Sequence, residues 1–491
     1  MPRFDFQVVG DYSILRSSEY DSQDTVNMYI VNDPSAKKPQ SLQPMPGREL
    51  LSNLHLAAPI RDNGLYRVRN MGFVVSERNV YLLSGGTDLV HIGNITSLSN
   101  PISWANSPLE VAIVDGVNLY SYNISTGNFA PITAIQQPGF PVQPQMIYYQ
   151  DSRFILSFKD SAQYFYSSFA TTTQGSLEQW DANNYFIQQS RPDLSIGISG
   201  ANERLFLFGQ ESIEIWAPYT TPNLLPFYRD NNFIYEFGSP VRTSIVKGVD
   251  DSKFGQPVSS FVFWLTTNNV GSGCFVITNS GTPIKVSTEA IDLRLSQLTN
   301  LNDCVSTVYK VGAHILIENT FRTDGLTLVL DVNTGKWFRK ERLDGSQSLI
   351  NSHMYLNNIH YVGSQTESGI FQLSDSILMD ADENMRRSRS TFTFTDPAYK
   401  RICGNMFEVD FESGNVEQGQ DPLAYLSVSY DGGKTYGNPM PANMGAIGQY
   451  RWKAQWYGFG NAYNFTFKIE VWEAVRVFIL GGAFDYETLL E

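Results

Sequence analysis

The chain has 491 residues and a net charge of −14, with 17% charged residues set against 31 Phe and 26 Tyr. That acidity argues against a protein that clamps DNA or anionic membranes through Lys and Arg, though not against one that lets DNA pass without holding it; the aromatic content argues against disorder. The three cysteines, Cys274, Cys304 and Cys403, form no CxxC pair and read as small buried hydrophobes rather than a disulfide framework or metal site.

The opening MPRFDFQVVGDYS shows no basic region followed by an apolar run, and no stretch approaches the length of apolar chain that crosses a bilayer. The expectation is a soluble protein made in a reducing cytoplasm, with no membrane segment. Residues 1–59 read as an extended N-terminal arm, because Pro34, Pro39, Pro44 and Pro46 disfavour helix. Such an arm is expected to clasp the first sheet or a neighbouring subunit.

From residue 60 to 378 one theme repeats: strand, tight turn, strand, turn, strand. The units are Gly64 to Ser84, Leu109 to Phe129, Met146 to Ser167, Ile196 to Trp216, Phe261 to Ile284, Val311 to Trp337 and His353 to Leu373. In the fourth, Leu205, Phe206, Leu207 and Phe208 run together in the middle strand, so both faces must be covered by other sheets. Stacked antiparallel meanders at this spacing predict an all-β, β-propeller-like domain of six or seven blades. Two units share a turn: Asn123-Ile124-Ser125-Thr126-Gly127-Asn128-Phe129 parallels Asp331-Val332-Asn333-Thr334-Gly335-Lys336-Trp337, with Gly at the position that needs positive φ. Helix signals are weak, and Ser287 to Leu298 is the best short candidate.

The character changes near residue 376, where an acidic stretch gives way to Arg386-Arg387-Ser388-Arg389. Three arginines without interleaved aromatics read as a solvated linker rather than a nucleic-acid contact. Residues 379–491 then alternate apolar and polar, as in Met406 to Phe411, Leu426 to Tyr430 and Asn464 to Val471, and predict a C-terminal β-sandwich.

Nothing in the chain asks for an enzyme, and no catalytic, cofactor-binding or metal residues are assigned. His55, His91, His314, His353 and His360 show no HExxH or triad grouping. His353 and His360 stand seven apart in one hairpin, which in a single strand puts them on opposite faces. Ser429 to Tyr436 matches the Asp-box pattern of sialidase propellers, where it is a folding device; a single copy reads as a structural turn. Asp331 to Gly335 lacks the bidentate Glu of a calcium loop and also reads as a turn. Trp452, Trp456, Tyr457 and Phe459 suit either an intersubunit contact or a sandwich core.

Several segments carry a family resemblance. They are Val26-Asn27-Met28-Tyr29 with Pro46-Gly47; Gly197-Ile198 with Leu205 to Gly209 and Ser212 to Trp216; and LSVSYDGGKTYG with Arg451-Trp452-Lys453 and Phe465 to Ile469. Together they resemble the packaged DNA stabilisation protein, or tail hub and nozzle, of short-tailed bacteriophages. The resemblance implies a virion protein without cofactors, forming a homo-hexamer below the portal and its head-to-tail adaptor. It would extend the channel for double-stranded DNA, retain packaged DNA with a needle or plug, and support tailspikes or fibres. The alternatives are a carbohydrate-active propeller, either a sialidase-like enzyme or a glycan-binding adhesin. The matched segments are short, and Thr221 to Ser259 carries none of them.

Overall fold

In the computed structural model, which describes residues 3–17, 21–35, 38–85, 88–171, 174–191, 193–219, 226–250, 259–268, 271–278, 281–412, 421–450 and 452–489, the repeated units become the sheets of a seven-bladed β-propeller. Blade 1 comprises Ile60–Val68, Met71–Ser76, Asn79–Ser84 and Asp88–Asn94. Blade 2 runs from Ser103–Asn106 to Phe129–Pro131, blade 3 from Pro144–Gln150 to Trp180–Ile187, and blade 4 from Ser195–Ala201 to Phe227–Tyr235. Blade 5 runs from Val246–Asp250 to Ile284–Lys285 and blade 6 from Cys304–Val311 to Lys336–Arg339. Each is a four-stranded antiparallel meander. Blade 7 takes Ile350–Leu356, Ile359–Ser364 and Phe371–Ser374 in order, and its fourth strand, Gly47–Leu50, comes from the N-terminal region.

The first strand of each blade touches the first strand of the next, and contact between Ile350–Leu356 and Ile60–Val68 completes the circle. An apolar core fills each of the seven gaps between blades. The middle strand of blade 4 shows why the chain folds this way. Leu205 and Leu207 pack with Tyr164, Tyr166 and Phe186 of blade 3, while Phe206 and Phe208 pack with Val262 and Trp264 of blade 5. All four are fully buried, so the period of two along the strand feeds two different cores. Burying such side chains contributes about 1.5–3 kcal/mol each. The short helix falls inside the expected segment, at Glu289–Ser296, with Thr288 Oγ1 accepting from Ile291 N; Ile291 and Leu295 join the core between blades 5 and 6.

The C-terminal region is a sandwich. One sheet orders Met28–Asn32, Gln40–Pro44, Ile479–Thr488, Ile402–Phe411 and Ala454–Ala462, with Arg3–Phe6 paired to Ile479–Thr488. The other orders Ser22–Val26, Arg387–Ser390, Asn464–Val471, Leu423–Ser429 and Met440–Asn443. Between them lie Phe6, Phe407, Phe465, Phe467 and Phe484, with Phe407 and Phe467 stacked at 4.0 Å. This core is continuous with the one between blades 6 and 7, where Val329, Phe338, Val362 and Phe371 belong to the same cluster.

Of the N-terminal region, Leu54 and Leu56 pack against blade 1, but most of it lies elsewhere. Its strands complete both sandwich sheets and close blade 7. An extended chain still carries a donor and an acceptor on nearly every residue, and the unpaired edges of the last blade and of the sandwich supply their partners.

Candidate functional site

The first strands of all seven blades surround a cavity of about 520 Å³. On its wall the Tyr66 ring stacks on Trp104 at 5.3 Å, and Trp104 Nε1 donates to Asn63 O at 2.7 Å. Lys247 Nζ donates to Tyr148 Oη at 2.9 Å. The floor lies where the first strands begin. There Arg242, from the turn before blade 5, reaches across the ring and donates to Gln145 O at 2.9 Å and Pro101 O at 3.4 Å, at the starts of blades 3 and 2. Beside it Arg322 of blade 6 pairs with Asp62 of blade 1, and Asn351 Nδ2 of blade 7 donates to Ile60 O at 2.7 Å. Arg61 Nη1 donates to Ser97 O at 2.6 Å, and burial brings the Arg61 guanidinium down to about 10 despite the nearby Asp115 and Asp62. A cavity of this volume suits a small molecule. With Arg242 spanning its floor, the cavity is not an open bore for a DNA duplex.

The second concentration of polar chemistry is the joint between propeller and sandwich. Asn27 sits there fully buried in a left-handed conformation, φ 56°. Its Nδ2 donates to Glu341 O at 2.8 Å and Arg386 O at 2.7 Å, and its Oδ1 accepts from Glu341 N at 3.1 Å. One side chain thus ties the N-terminal region to the exits of blade 6 and of the propeller. Around it Arg339 forks onto Asp24 at 3.0 and 2.7 Å, Arg386 bridges Glu341 and Glu470, and Arg48 bridges Glu367 and Asp380.

The basic run is the main correction to the sequence reading. Arg387 and Arg389 are buried, not solvated. Arg389 donates to Val8 O at 2.6 Å, Thr25 Oγ1 at 3.1 Å and Asp11 O at 3.2 Å, and also to Gln23; Arg387 donates to Leu378 O at 2.9 Å and Glu473 O at 3.1 Å. A guanidinium has five donors in a fixed fork, so backbone carbonyls can satisfy it without a carboxylate. Burial lowers both to about 10.

His353 and His360 are also brought together rather than kept apart. The hairpin pairs Tyr355 with His360 and His353 with Val362, which sets the two rings diagonally on one face, Nε2 to Nδ1 at 2.9 Å. Burial, with His360 adjacent, lowers His353 to about 3. His314 Nδ1 meets Asp331 Oδ2 at 2.7 Å. Among the described residues no group of three or more His, Cys, Asp or Glu is placed to hold a metal ion. Cys274, Cys304 and Cys403 are free thiols, and burial pushes Cys304 up to about 12.

Both turn readings hold. Asp431 accepts from Thr435 Oγ1 at 2.6 Å, Ser429 Oγ at 2.7 Å, and the backbone of Lys434 and Thr435 at 2.9 Å, which keeps its carboxyl well below the usual range. Asp331 accepts from Thr334 Oγ1 at 2.8 Å and Asn333 N at 3.0 Å, with Gly335 at φ 68° matching Gly127 at φ 71°. The aromatic quartet divides: Trp456 and Phe459 are buried, Trp452 and Tyr457 exposed. Arg451, part of the family-like C-terminal segment, lies outside the described residues.

The family model described as "Bacteriophage P22 Gp10, beta-propeller" matches residues 7–378, and "Bacteriophage P22 Gp10, beta-sandwich" matches residues 390–487. No curated protein matches the chain. Among solved structures, the computationally designed Ika8 protein is similar at 14% identity and TM-score 0.38, over 72% of this chain and 99% of that one. The N-terminal domain of Nup159 is similar at 9% and 0.40, over 72% and 99%. The WD40 domain of Neurospora crassa Pan2 is similar at 9% and 0.37, over 64% and 89%.

Proposed function

The chain belongs to the bacteriophage P22 Gp10 family, and from that premise we propose that it is a non-enzymatic structural protein of a phage tail, a hexameric hub or nozzle. In this reading it sits in the virion below the portal and head-to-tail adaptor, after assembly in the host cytoplasm. It extends the DNA channel, retains packaged DNA together with a needle or plug, and supports tailspikes or fibres. Residues 379–491 work as a sandwich domain and 60–378 as the propeller, with residues 1–59 stitching the two.

The observation that carries the reading is the pair of consecutive family matches over residues 7–378 and 390–487. The closed propeller axis adds a geometric condition. Because Arg242 crosses the floor of a cavity of small-molecule size, the DNA channel lies between copies, outside any one propeller. Six copies at −14 each carry about −84 together. Acids facing such a channel repel duplex DNA within the screening length of roughly 8–10 Å, which lowers sticking during ejection. A ring whose channel wall is mainly Lys and Arg would overturn that electrostatic part.

The test is electron microscopy of the purified protein mixed with portal–adaptor particles, with adaptor-free particles as control. A six-fold collar that forms only with the adaptor supports the hub. No added density on adaptor-bearing particles refutes it and returns glycan binding and cleavage to the bench.

A further inference from the structure

The axial cavity differs in charge from the rest of the chain. Among the described residues its lining holds no Asp or Glu, although the chain carries net −14, and it does hold Arg242 and Lys247. Beneath it the guanidinium groups of Arg61, Arg242 and Arg322 face the carboxylates of Asp62 and Asp115. Asp62 is taken by Arg322, and Asp115 accepts from the backbone of Thr96, Ser97, Val117 and Asn118. Among the described residues neither Arg61 nor Arg242 has a carboxylate within ion-pair distance; their hydrogen bonds go chiefly to backbone carbonyls. Asp303, beside Arg322, brings the carboxylates near the floor level in number with the guanidinium groups, so the excess positive charge of the site comes from Lys247 on the wall. The Arg242 guanidinium, largely removed from bulk water, acts over a longer range than a surface charge.

The wall supplies the rest of a binding site. Lys247 is exposed, and its bond to Tyr148 Oη engages one of three ammonium donors. The stacked Tyr66 and Trp104 rings give a flat apolar side. We propose that the axial cavity binds a small anion, a phosphate- or carboxylate-bearing molecule, with its charged group between Lys247 and the Arg242 floor and its uncharged part against Tyr66 and Trp104. The volume falls within the range of small-ligand pockets, and a few placed polar groups within a partly apolar wall are what such sites use for orientation.

Isothermal titration calorimetry on the full chain tests this, with inorganic phosphate and citrate as probes and glucose as the neutral control. Binding of phosphate or citrate but not glucose is expected, and which anion binds tells phosphate from carboxylate recognition. Lys247→Glu, at an exposed position, should weaken binding by about tenfold or more, the usual scale for losing a charge-assisted hydrogen bond. Arg242→Lys should weaken it as well, and circular dichroism reports whether that variant is folded. Lys434→Glu makes the same charge change in the sandwich turn and should leave binding unchanged. No heat from either anion at millimolar concentration, equal weakening by Lys434→Glu, or binding unaltered in Lys247→Glu would each overturn the proposal.

Discussion

Replacing Asn27 by Ala should loosen the joint more than any other single change at an uncharged side chain there. The substitution removes three hydrogen bonds, to Glu341 O, Arg386 O and Glu341 N, at a fully buried position. An orphaned buried N–H costs about 1–3 kcal/mol, and each lost bond to a carbonyl about 0.5–1.5 kcal/mol. Holding Ala at φ 56° adds about 1–2 kcal/mol. The sum is roughly 3–8 kcal/mol. Asn27→Gly relieves the backbone part and should recover about 1 kcal/mol relative to Ala. Asn27→Asp keeps the acceptor, loses both donors and buries a charge, so it should be at least as damaging as Ala. Denaturant unfolding gives the energies, and hydrogen exchange over 24–30, 339–343 and 385–388 locates the loss. Unfolding of Asn27→Ala within about 0.5 kcal/mol of wild type, the range of an ordinary surface substitution, or a Gly variant less stable than Ala would refute this role for Asn27.

Three further outcomes follow from the same geometry. Phe206→Ala and Leu207→Ala should destabilise by about 3–5 and 2–5 kcal/mol. Because the two side chains feed different cores, hydrogen exchange should rise on the blade 5 side for the first and the blade 3 side for the second. Arg48→Ala strands Glu367 and Asp380; breaking buried pairs costs about 3–5 kcal/mol, and the 28% exposure of Glu367 points to the lower end. Its signature is faster exchange in Gly47–Leu50 and Phe371–Ser374, with blade 4 unchanged. Stability should also fall with acid through His353. Its folded value, about 3, lies below the ordinary histidine value of 6.5, so between those values the unfolded chain binds a proton that the folded chain refuses. The slope is about 1.4 kcal/mol per pH unit, the loss sets in as pH falls below 6.5, and it levels off below the folded value. A His353→Gln variant with the same acid slope in a pH series of unfolding curves would refute it.

Each blade is legible in the sequence through its middle strands, because those strands are apolar on both faces or alternate cleanly. Many of the rim strands are not. Asp88–Asn94 is mostly exposed or half-buried and carries little hydrophobic pattern, as expected of a sheet edge. The closure of blade 7 was out of reach for another reason: Gly47–Leu50 pairs with residues more than three hundred positions away, so no local period marks it. The buried arginines were missed because a run of like charges is usually solvated, and the carbonyls that satisfy Arg389 come from Val8 and Asp11 at the far end of the chain. The axial cavity was equally invisible. Each blade contributes only a few residues to it, and what sets its chemistry is the lack of acids among residues scattered over the whole propeller.

The joint bears on how the two lobes act together. Domains joined by a flexible linker move independently unless their interface is large and apolar. Here the sandwich core runs into the core between blades 6 and 7, and the N-terminal region is woven through both. A load applied to the sandwich is therefore carried by packed side chains and by the Asn27, Arg48 and Arg389 networks as well as by the covalent crossings between Pro44 and Gly47 and near residue 385. The part of the sequence that looked like a loose arm is the element that makes this possible, because an extended strand can add to two separate sheets where a helix cannot. For a subunit proposed to hold a channel in register while supporting appendages, that stiffness matters more than any single contact. It also explains why a buried Asn in a left-handed conformation, costly in isolation, is tolerated at the point where the N-terminal strands, the exit of blade 6 and the start of the sandwich meet.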